Sequence, residues 1–155
     1  MSRKPGSSDS RVLELLEATL RQDLRAHADA HAESLGAFQF AEAAARSLES
    51  AVEGREGALR QWLAQSKDGL DLGSLRLFHA MLDVGRQEYS HAAQAAEQAQ
   101  TELEASRGVL IRTLQRRAKL QDLRQRRSLE DRREEDKRQA AELDALWLQS
   151  RYHKP

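Results

Sequence analysis

SKDGLDLGS, residues 66–74, decides the fold. Gly69 and Gly73 stand beside two aspartates and a serine; glycine tolerates left-handed backbone and short polar side chains cap free helix amides, which is the chemistry of a chain reversal. On both sides of it the composition is helical. Alanine, leucine, glutamate, glutamine and arginine dominate, and the only prolines are Pro5 and Pro155, so the strongest helix breaker is missing from the interior. The spacing predicts one helix over residues 11–66, a hairpin tip at 67–74, and a second helix from 75 to 150. A flexible N-terminus (1–10) and a short tail (151–155) lie outside them.

The apolar residues of both arms follow a coiled-coil rhythm. In the first arm Leu13, Leu16, Leu20, Leu24, His27, His31, Phe38, Ala41, Ala45, Leu48, Val52, Leu59 and Trp62 form a stripe. In the second, Leu75, Phe78, Leu82, Tyr89, Ala92, Ala96, Ala99, Leu103, Leu110, Thr113, Leu114 and Leu120 form another. The fold expected is all-α, an elongated antiparallel two-helix coiled-coil hairpin with a longer C-terminal helix. Asp9 or Ser10 would cap the first helix, and Gly54 and Gly57 would weaken its last turns. With the reversal near residues 70 and 71, the numbers of facing positions add to roughly 141, which sets Leu13 across from about residue 128. Beyond that point the second helix has no partner in its own chain, an overhang of about 30 Å at ~1.5 Å per residue.

There the seam disappears and charge takes its place. Arg126 to Glu130, Arg127 to Asp131, Glu130 to Arg133 and Glu134 to Arg138 are opposite charges at spacings that meet on a helix surface. The chain is neutral, with 25 basic and 25 acidic residues, but residues 112–127 hold seven cations against Asp122 alone. Apolar character returns at Leu143, Leu146, Trp147 and Leu148. A second apolar cluster, Leu70, Leu72, Leu75, Leu77, Phe78, Met81 and Leu82, surrounds the tip. Leu75, Phe78 and Leu82 serve the seam, whereas Leu72, Leu77 and Met81 need another face.

Composition and motifs exclude several functions. Only 39% of residues are hydrophobic and 5% aromatic, against 32% charged, too little bulk for a walled cleft. No glycine-rich phosphate loop, nucleophile elbow or secluded carboxylate pair is present, so an enzyme and a cofactor are not expected. Absence of cysteine rules out a thiol nucleophile and thiolate-ligated metal. His27 and His31, with Asp23 a turn earlier, have the spacing of a helical metal pair, but no third histidine and no zincin glutamate accompanies them, and a polar interruption of the seam is the simpler reading. The basic run has no interleaved aromatic to stack a base, so direct nucleic-acid binding is not expected. No stretch approaches the ~20 apolar residues of a membrane span.

With its hairpin layout and its Arg/Glu-dense C-terminal helix, RREEDKRQAAELDALWLQSR at residues 132–151, the chain resembles the central stalk proteins of bacterial type III secretion, the flagellar FliJ, injectisome YscO and Hrp-type group. Lys137 and the ELDAL of Glu142–Leu146 carry the specific part of the likeness. The resemblance implies a non-enzymatic cytoplasmic stalk, peripheral to the inner-membrane secretion apparatus, whose paired termini enter a hexameric secretion ATPase and whose tip points to the export gate protein. Secretion chaperones are additional candidate partners. Carried over in this way, ring contact falls to Arg112, Arg116, Arg117, Lys119, Arg124, Arg126, Arg127, Arg132, Arg133, Lys137 and Arg138, with Leu146 and Trp147. Gate contact falls to Leu72, Leu77, Phe78 and Met81. The residues alone leave two alternatives open, a generic dimeric coiled-coil adaptor and a nucleic-acid-associated helical protein.

Overall fold

A computed structural model describes the backbone of residues 6–66, 69 and 71–152, and the side chains of 11–66, 69 and 71–151. Leu70, both chain ends and the side chains of Asp9 and Ser10 lie outside these. Two α-helices, α1 (Gly6–Gln65) and α2 (Leu72–Tyr152), account for the described chain, which is therefore all-α, a helical hairpin. α1 begins upstream of the start expected after Ser10. It also runs unbroken through Gly54 and Gly57. Seam residues Val52, Leu59 and Trp62, which are half-buried or buried on either side of the two glycines, hold these turns.

The reversal is built as its residues dictate. Ser66 closes α1, its amide and hydroxyl both donating to the Trp62 carbonyl at 3.1 and 2.9 Å. Gly69 has φ of 113°, a conformation that costs other residues strain. Asp71 then caps α2: its carboxylate accepts from the amides of Gly73 (3.0 Å) and Ser74 (3.2 Å) and from the Ser74 hydroxyl (2.6 Å). These donors, the Ser74 hydroxyl foremost, hold the Asp71 carboxyl below its usual range. A depressed folded-state value means that the cap's contribution is complete above the unfolded pKa near 3.8 and is lost as pH falls through the lower folded value. Asp71→Asn should therefore flatten the acid limb of a helicity-versus-pH titration, while Ser74→Ala should shift that limb toward higher pH.

By compactness the chain divides into two units, Arg25–Ile111 and a second made of Met1–Leu24 with Arg112–Pro155. In the first, α1 and α2 segments run antiparallel on either side of the reversal. Leu59 and Leu82 are buried there, Leu82 to 3% exposure, and Trp62 packs against Phe78 with ring centroids 5.5 Å apart and planes tilted by 37°. Ala45 is buried further along α1. His31 Nδ1 lies 3.1 Å from the Ser106 oxygen, whose hydroxyl donates to the Leu103 carbonyl at 2.8 Å. With its proton so committed, that oxygen is left to accept from the imidazole. In the other unit Leu120 and Thr113 are buried, Leu20 is half-buried, and Glu17 faces Arg124. Trp62 opposite Phe78 and Glu17 opposite Arg124 both sit on the register set by the reversal.

Two seam positions differ from the expected stripes. Leu16 is 48% exposed and Glu17 takes its place, because the four-three alternation of positions 13, 17, 20, 24, 27 and 31 leaves residue 16 outside the seam. Leu114 is likewise exposed beside the buried Thr113. Cysteines at Leu20 and Leu120, two residues that line one groove, should join within one chain on oxidation. Links formed solely between chains would contradict the pairing.

Candidate functional site: the charged end of α2 and the apolar tip

After Leu120 every described side chain through Arg151 is exposed. The cause is local sequence. Seam positions that would follow in heptad order carry Arg124, Arg127, Asp131, Glu134 and Arg138, side chains whose charge costs more to desolvate than a two-helix contact returns. Arg124 still meets α1, pairing with Glu17, which also accepts from Arg21 at 2.8 Å. Arg21 first, and then Arg124 and Arg117, hold the Glu17 carboxyl below its usual range. One carboxylate thus answers three arginines.

Farther along, ion pairs within α2 are sparse. Arg126 pairs with Asp122 at 2.9 Å, one turn back, and not with Glu130, while Arg138 and Glu134 approach to 4.0 Å. Among the described residues, Arg112, Arg116, Lys119, Arg132, Arg133 and Lys137 make no ion pair. All are exposed. Of the cations the sequence singled out, Arg124 is therefore tied to α1, and Arg126 and Arg138 to their own helix. Leu143, Leu146, Trp147 and Leu148 follow as exposed apolar side chains, with the Arg151 guanidinium 4.5 Å over the Trp147 ring.

At the other end, Leu72, Leu77 and Met81 are exposed. Phe78 belongs to the seam, half-buried against Trp62. Leu77, Met81 and Val84 share one face of α2, and Met81 and Val84 line a groove with Arg55, Ala80 and Glu88. Arg55 was hidden from a reading of apolar pattern, since it occupies a seam position as a cation. Its signal is Gly85: a Cβ there would stand 2.5 Å from Arg55 Nη1, so a bare backbone makes room for the guanidinium, which donates to the Met81 carbonyl at 3.3 Å. Because Leu77 and Met81 are spare to the core, replacing both with serine should leave the melting temperature within a few degrees of wild type. A large thermal loss would assign them to the core.

His27 and His31 lie half-buried in the seam, and among the described residues no group of three potential metal ligands gathers. No helix among the described residues is long and apolar enough to cross a membrane.

The described chain is a helical hairpin with exposed apolar side chains near the reversal and exposed charge on α2 after Leu120. The family described as flagellar FliJ protein matches residues 14–154. The chain belongs to that family, which is associated with the flagellar and type III export apparatus and is a structural stalk and adaptor family. No curated protein and no solved structure matches the chain.

Proposed function

We propose that the chain is the central stalk and regulator of a hexameric type III secretion ATPase, and that it links this ATPase to the inner-membrane export gate. The observation that carries the reading is the loss of the seam on α2 after Leu120 together with cations that make no ion pair, Arg132, Arg133 and Lys137 within the seamless stretch and Arg112, Arg116 and Lys119 just ahead of it. A helix inside a ring of six subunits meets the same surface in several orientations. An apolar seam would hold one of them, whereas exposed ion pairs worth less than ~1 kcal/mol each form and release. Leu146 and Trp147 add an apolar anchor beyond the collar. Leu72, Leu77 and Met81 would meet the gate, with Phe78 supporting them from the seam. The protein works in this reading in the cytoplasm, recruited to the cytoplasmic face of the secretion apparatus.

Tagged protein drawn from its native cell extract at low salt should bring a P-loop ATPase with it, and raised salt should release that ATPase. Recovery of nucleic acid alone, released steeply by salt, would instead favour a nucleic-acid role.

A further inference from the structure

The two edges of the seam in Arg25–Ile111 are unlike. One is closed by charge within the chain: Arg86 donates to Glu56 at 2.7 Å, and the Tyr89 hydroxyl to Glu49 at 3.4 Å. The other edge carries Ala44, Ala51 and Ala58 on α1, and on α2 Leu77, Met81, Val84 and Glu88. It is open and largely uncharged. Met81 is 47% exposed and Val84 53%, in the groove that Arg55 and Glu88 also line.

Arg55 is the anomaly of this edge. It is half-buried in the seam, its hydrogen bond among the described residues goes to a neutral carbonyl, and no described carboxylate lies within 4.0 Å of it. Glu88 lines the same groove and forms no ion pair with it. A partly desolvated cation without a counterion is unfavourable. The surface thus offers one unpaired cation and one unpaired anion a short step apart along α2. A twofold axis between them satisfies both at once, because such an interface matches each group with the other on the second copy.

We infer that this edge binds a second copy of the chain, antiparallel and twofold, with Arg55 of each copy paired to Glu88 of the other. The dimer covers Leu77 and Met81, so self-association and docking of the tip exclude each other, and the dimer is a resting form from which the stalk is recruited.

Sedimentation equilibrium of the full chain across the micromolar range tests this. Wild type should pass from one chain to two with concentration. Glu88→Arg should weaken association about a hundredfold or more, since the twofold makes each copy lose a close interfacial charge pair worth about tenfold, with helicity unchanged because Glu88 is exposed. Arg55→Glu combined with Glu88→Arg should restore it. A chain that stays single throughout, a dimer indifferent to Glu88→Arg, or a folded double variant no tighter than Glu88→Arg overturns the inference. Should the double variant lose helicity, Glu88→Arg alone decides.

Discussion

Leu82→Ala should lower the melting temperature by roughly 6 to 15 °C, the largest stability effect of any single truncation in the chain. The side chain is 3% exposed where a two-helix contact has little else to close over a void, and large-to-small changes at such sites cost about 2–5 kcal/mol. Leu77→Ala, five residues away on a face exposed in the single chain, should change the stability of the dilute, undimerised chain by less than about 0.5 kcal/mol. Melting followed by circular dichroism separates the two. Equal losses would mean that the seam is not where stability resides.

Removing residues 140–155 should reduce ATPase affinity more than any charge reversal on α2. The deletion takes away Leu143, Leu146, Trp147 and Leu148, all exposed in the free chain, and burying such a side chain against a partner contributes roughly 1.5–3 kcal/mol. Reversing Arg116, Arg132 and Arg133 to glutamate removes contacts worth less than ~1 kcal/mol each, so it should weaken binding moderately. It should also flatten the salt response, since exposed pairs are screened over ~8 Å at physiological ionic strength. These three suit the test better than Arg124, whose reversal would also confront Glu17 on α1. A titration of labelled chain against the ATPase at two salt concentrations reads both effects. Equal affinity of the deletion variant and wild type would remove the apolar anchor from the account.

The turn chemistry of residues 66–74 carried most of the fold in plain view, because a positive-φ glycine and a capping aspartate are local requirements that tertiary contacts seldom override. Register followed from it, as Trp62 with Phe78 and Glu17 with Arg124 show. Phase was harder to read near the ends. Leu16 outranks Glu17 in hydrophobicity, yet the heptad count puts Glu17 toward α2, where Arg124 compensates its charge. Arg55 and Gly85 escaped for a related reason: a cation and a residue without a side chain give no apolar signal, and their fit exists only once α1 and α2 are brought together. The cation run was legible as a collar, but which of its members are spoken for was not. Arg126 chose Asp122 over Glu130, a rotamer choice between two equivalent helical spacings that sequence does not distinguish.

Stimulation of the purified secretion ATPase by the full chain tests the stalk reading most directly, measured as hydrolysis rate against the ratio of chain to ATPase hexamer. The account predicts a rise that saturates near one chain per hexamer, diminishes with salt, and is blunted when Arg116, Arg132 and Arg133 are reversed. A rate unchanged at every ratio, or a response that the reversed variant reproduces in full, would contradict it.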